Sequence, residues 1–200
     1  MRILFVGDVV GRSGRAVLLA ELPKLRSALA LDAVIVNAEN AAGGYGLTAA
    51  IAGEFLEAGA DLLTMGNHVW DQRELIAHID REPRIVRPLN LAPGTPGRGV
   101  AEIRTVRSQR IVVLQVLGRL FMGLADDPFR ALDAELARHA LGGTAQAIIV
   151  DAMPRRRARS WRWGTISTGG CPWSWARTPM CPPRTRASWP AAPATSPIWG

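Results

Sequence analysis

The sequence predicts an α/β fold built on a parallel sheet, and three short apolar runs carry that expectation. Ile3-Leu4-Phe5-Val6 stops at Gly7-Asp8, Ala33-Val34-Ile35-Val36 stops at Asn37-Ala38-Glu39-Asn40, and Leu62-Leu63-Thr64-Met65 stops at Gly66-Asn67-His68. Between them lie segments whose apolar residues recur at helical spacing, and short buried strands alternating with helices give a parallel sheet. Ligands collect at the carboxyl ends of such strands. Asp8, Glu39, Asn40 and Asn67 are therefore expected to converge, with His68 beside them.

Taken in order, residues 12–29 place Val17, Leu18, Leu22, Leu25 and Leu29 on one helix face. The preceding loop, Gly7-x-x-x-Gly11-x-x-Gly14, departs from the spacing of the dinucleotide fingerprint, and Asp8 would turn a negative charge toward a phosphate unless a cation intervened. Gly43-Gly44-Tyr45-Gly46 reads as a flexible loop, after which Thr48 caps a helix that Gly59 ends. Asp71 and Glu74 have the spacing of a capping box at the start of a third helix, which turns Leu75 and Ile79 inward. Residues 82–99, with four prolines and three glycines, read as one long loop. Residues 100–106 and 110–116 read as strands joined by a tight turn at Ser108 and Gln109. Asp126-Asp127-Pro128 opens a last helix, expected to run through Leu132, Leu136 and Leu141, and residues 147–151 form a further buried strand. His78 and His139 fall within these helices as surface residues.

A chain of 200 residues with 48% hydrophobic content suits one domain with a substantial core. No apolar run is long enough to span a bilayer, and the first run meets Asp8 too early for a signal peptide, so a cytoplasmic protein is expected. The net charge of +7 would suggest a nucleic-acid partner if it were spread over the chain. It is not spread: residues 151–200 hold eight arginines against Asp151 alone, while residues 1–150 are balanced. The same stretch holds six of the seven tryptophans and both cysteines but no leucine, so composition changes class near residue 151.

Three motifs now stand in order: Gly7-Asp8-Val9-Val10-Gly11-Arg12, Asn37-Ala38-Glu39-Asn40-Ala41-Ala42-Gly43-Gly44 and Gly66-Asn67-His68-Val69-Trp70-Asp71. Together they resemble the bacterial calcineurin-like metallophosphoesterases, in the branch similar to 2′,3′-cyclic-nucleotide 2′-phosphodiesterase. The resemblance covers residues 1–151. It implies an α-β-β-α layered sandwich and two divalent metal ions, Fe or Mn with Zn as an alternative. Asp8 would bind the first ion, Glu39 bridge both, and Asn40 and Asn67 bind the second. The activity implied is hydrolysis of a small-molecule phosphodiester such as a cyclic nucleotide, by attack of a metal-activated hydroxide. His68 would be the general acid that protonates the departing sugar oxygen. Self-association is implied as well, and no membrane partner. The wider superfamily often carries Asp-x-His in its first motif, whereas position 10 here is Val10, which leaves the metal open.

The family continues beyond this point with His-Ala-Glu and later Gly-Thr-His-Thr-His, which supply further metal ligands, yet no histidine follows His139. A displaced reading frame would account for the loss. Ala152-Met153-Pro154-Arg155 is encoded GCN-ATG-CCN followed by AGR or CGN, and a frame displaced by two bases permits His-Ala-Glu. The same displacement across residues 173–182 permits Val-Val-Gly-Thr-His-Thr-His-Val. Two motifs from one displacement point to a single-base deletion near codon 152. Residues 152–200 are then an aberrant Arg/Trp/Pro-rich tail, expected to be disordered, and the chain as it stands is expected to have impaired activity. The alternatives are a genuine basic tail that binds nucleic acid through arginines and stacked aromatics, or an inactive scaffold. The tail's abrupt onset and lack of periodicity argue against nucleic acid.

Overall fold

In the computed structural model, residues 1–119, 123 and 125–153 are described. The three apolar runs become β1 (Ile3–Val6), β2 (Ala33–Asn37) and β3 (Leu62–Thr64), joined by a short fourth strand, β4 (Ile85–Val86). They form one wholly parallel sheet in the order β1-β2-β3-β4. β5 (Val100–Arg104), β6 (Arg110–Leu117) and β7 (Ala147–Met153) form a second sheet, β5 antiparallel and β7 parallel to β6. The helices are α1 (Gly11–Ala28), α2 (Ala49–Glu57), α3 (Arg73–His78) and α4 (Pro128–Leu136).

The two faces of β2 show why the layers stack. All five of its residues are buried, as a parallel strand covered on both sides requires. Val34 and Val36 face one way, into a core with Leu18 and Leu22 of α1, Phe55 of α2 and Leu75 of α3. Ala33 and Ile35 face the other way, against Ile103, Ile111, Val113 and Ala147 of the second sheet. With α4 in contact with β6, the layers run helix, sheet, sheet, helix.

Several local expectations are met. Thr48 accepts the Ile51 amide at 3.2 Å, and Gly59, at φ +110°, follows the end of α2. The β5–β6 turn places Ser108 at φ +59°, closed by the Ser108 amide on Thr105 O and by the Thr105 amide on Gln109 O.

Others need correcting. The stretch 82–99 is not all loop, because Ile85 and Val86 are fully buried beside β3. Only Leu18 and Leu22 of the predicted α1 face are buried; Val17, Leu25 and Leu29 are exposed because β1 is the sheet's edge and nothing among the described residues covers its outer side. Helix α4 ends at Leu136, short of Leu141, and His139 lies in the turn beyond it against Glu135. Strand β7 continues through Ala152 to Met153, past the boundary drawn at residue 151, because both residues stay in register with Val116 and Leu117. The remainder of the Arg/Trp/Pro-rich tail, with its expected disorder, lies outside the described residues.

Candidate active site

Parallel pairing of β1, β2 and β3 delivers the three motif loops to one end of the sheet. Backbone hydrogen bonds then stitch the loops together: the Val9 amide donates to Asn37 O at 3.1 Å, Gly11 to Asn40 O at 3.0 Å and Ala38 to Thr64 O at 2.9 Å. Asn40 Nδ2 donates to both carboxylate oxygens of Asp8, at 2.9 and 3.0 Å. Glu39 is 1% exposed, and its Oε2 accepts the His68 backbone N–H at 3.4 Å. Asn67 is half-buried and enters the group by its place between Gly66 and His68.

Gly66 is what lets Glu39 lie so deep. A Cβ built on it would overlap Oε2 and stand 2.5 Å from the carboxylate carbon, so the third motif admits only glycine at this point. Burial is the main force on the Glu39 carboxyl and pushes its pKa up to about 7 from 4.5, with the nearby charge of Asp8 acting in the same direction and the His68 amide opposing. A buried carboxylate with a second acid close by is a ready place for a cation.

The loop 43–46 closes the other side of His68. Gly43, Gly44 and Gly46 all take positive φ, the Gly46 amide donates to Glu39 O at 2.6 Å, and Gln72 Nε2 donates to Tyr45 O at 2.8 Å. These bonds hold the Tyr45 ring edge-on to the His68 imidazole, with centroids 5.3 Å apart.

Two residues play parts that the sequence pattern did not show. Asp71 is no helix cap: Gln72 occupies the N-cap of α3 without a side-chain bond, and Glu74 accepts the Ala49 amide at 3.0 Å instead. The Asp71 carboxylate goes to His68, Oδ2 lying 2.6 Å from Nδ1. The i, i+3 spacing was the available signal, but it fits a capping box equally well. Asp151, read only as the end of a strand, accepts from Thr64 Oγ1 at 2.6 Å and Asn37 Nδ2 at 2.9 Å, tying β7 to the ends of β2 and β3. Burial raises its pKa as well, against those two hydrogen bonds.

The donor set of Asp8, Glu39, Asn40 and Asn67 fits hard divalent cations, with two carboxylates and two side-chain amides. Among the described residues, no three His, Cys, Asp or Glu side chains gather as a metal cluster, since two of the four proposed ligands are amides.

The model of the YmdB-like protein family matches residues 4–155. This chain belongs to that family. Over 140 residues the YmdB-like chain is 43% identical to a 2′,3′-cyclic-nucleotide 2′-phosphodiesterase of Bacillus subtilis, a match covering 70% of this chain and 53% of the relative. A crystal structure of a Thermus thermophilus protein superposes with a TM-score of 0.71 at 41% identity, over 78% of this chain and 59% of the other. That of a phosphatase from Mycoplasma pneumoniae gives 0.68 at 31% identity, over 77% and 55%. The fold is therefore the metallophosphoesterase sandwich, and the chain spans about half the length of the curated relative named here. No helix among the described residues is long and apolar enough to cross a membrane.

Proposed function

We propose that this YmdB-like chain carries the amino-terminal part of a metal-dependent phosphodiesterase site whose substrate class is the 2′,3′-cyclic nucleotide. The observation that carries the reading is the buried Glu39 carboxylate, cradled by Gly66 and bonded to the backbone of His68 at the carboxyl ends of three adjacent strands. Asp8, Glu39, Asn40 and Asn67 would hold two divalent ions, with Mn or Fe favoured by the oxygen-rich donor set. Bound there, the ions would supply Lewis-acid polarisation of the phosphoryl group and compensate its charge.

The chain's own residues do the rest. Glu39, walled off from water, keeps its carboxylate in one orientation. Asn40 keeps Asp8 turned toward the second strand through its paired contacts. His68, with Nδ1 taken by Asp71, presents Nε2 as the atom from which a proton passes to the leaving ribose oxygen. The similarity to a named cyclic-nucleotide phosphodiesterase supports the substrate class.

The chain as it stands is impaired on this reading, because no histidine follows His139 to complete the coordination of the ions. Restoring one base near codon 152 tests the proposal. The restored protein is expected to take up Mn and hydrolyse 2′,3′-cyclic AMP, and His68→Ala in it should lower kcat by about 10²–10⁴-fold with metal content unchanged. A restored protein that binds no metal and cleaves no phosphodiester would refute both the site and the displaced frame.

A further inference from the structure

We infer that Asp71 is the positioning residue of His68, fixing the proton of the neutral imidazole on Nδ1 and so reserving Nε2 for the substrate. The inference rests on His68 working at the proposed site, but its test does not depend on turnover or metal.

Three observations lead to it. The first is the contact itself: Asp71 Oδ2 and His68 Nδ1 are 2.6 Å apart, the short range expected when an ionised carboxylate accepts from N–H. A carboxylate can only accept, so the nitrogen facing it must carry a proton. The second is that Asp71 is not occupied by its obvious alternative duty, since the N-cap of α3 is Gln72 and no side chain caps that helix. The third is that the ring is held on other sides too. The Asp71 amide closes a turn on His68 O at 3.3 Å, the fully buried Val69 anchors that turn in the core, and the Tyr45 ring meets the imidazole edge-on.

An ordinary surface ion pair would leave the imidazole free to rotate and to exchange its proton between nitrogens. Here the His68 side chain is 25% exposed, and although Asp71 lies at the surface the backbone turn sets their separation. The arrangement follows the general logic by which a carboxylate holds a catalytic imidazole in one tautomer and steadies its charged form once it is protonated. When His68 then carries a second proton, that proton sits on Nε2 while Nδ1 stays on Asp71.

The experiment is nitrogen-15 NMR of the three imidazoles in the 200-residue chain, in alkaline buffer. His68 should show a protonated Nδ1 and a bare Nε2, with the two nitrogen shifts far apart. In Asp71→Ala the acceptor is gone, so the two shifts should converge as the tautomers mix, while the signals of His78 and His139 stay in place and report an intact fold. A wild-type His68 protonated on Nε2, or an Asp71→Ala spectrum with His68 unchanged, would overturn the inference. If Asp71→Ala does not fold, the wild-type tautomer decides the matter alone.

Discussion

Glu39 and Asp8 are both carboxylates at the ends of neighbouring parallel strands, yet they live in opposite environments. Glu39 follows β2, a central strand with every residue buried, and is itself 1% exposed. Asp8 follows β1, the edge strand, where no residue is fully buried, and stands in solvent with Asn40 as its partner. The edge is open along its length: Phe5 is 39% exposed and Val17 of α1 65%, on either side of a shallow groove. Position in the sheet, rather than residue type, therefore decides which carboxylate is walled off, with its pKa raised by burial, and which stands open to solvent. The central strands build the closed side of the site, and the edge strand contributes an acid with room around it.

Paired glycine substitutions should give the largest contrast between the two sides. Gly66→Ala drives a methyl into the Glu39 carboxylate and is expected to cost about 1–3 kcal/mol, as overpacking does in a filled interior. Gly7→Ala, beside Asp8, meets nothing within 4 Å and should stay within about 0.5 kcal/mol of the parent. Urea unfolding of both variants measures the difference, and equal costs would mean that the two sides are packed alike.

A smaller effect follows from the carboxyl of Glu39. With its pKa at about 7 in the folded chain and 4.5 ordinarily, the folded state holds a proton between those values that the unfolded state has released. Its contribution to stability therefore rises as pH falls through that window and levels off below it. Glu39→Gln should flatten this dependence, leaving the part of the same sign due to Asp151. Saturating Mn should flatten it too if the ion holds the carboxylate ionised. Thermal unfolding of parent and variant across the window checks the sign, and a parent that gains stability as pH rises there would contradict it.

Much of this was legible in the chain, and the reasons for the rest are physical. The three strand ends showed themselves because an apolar run that stops on acids and amides is costly anywhere but at a sheet's carboxyl edge. Strand β4 was hidden because only Ile85 and Val86, between two arginines and flanked by prolines, take part in it, and their burial comes from β3 rather than from a local pattern. Val17 and Leu25 share the periodicity of Leu18 and Leu22, but periodicity does not say which strand will be the edge. Asp71 was assigned to a cap because the competitor that claims it, three residues earlier, is a side chain and not a helix end. Asp151 was legible only as a strand end, because the partners it accepts from stand 87 and 114 positions away.

The most direct test of the central claim is metal content, measured by elemental analysis on the purified 200-residue chain and on its frame-restored counterpart after exposure to Mn and removal of loosely held ions. Asp8, Glu39, Asn40 and Asn67 alone should retain less than one ion per chain, and the restored protein should retain about two, as expected of a two-metal phosphoesterase site. Two tightly held ions in the 200-residue chain, or none in the restored one, would contradict the account.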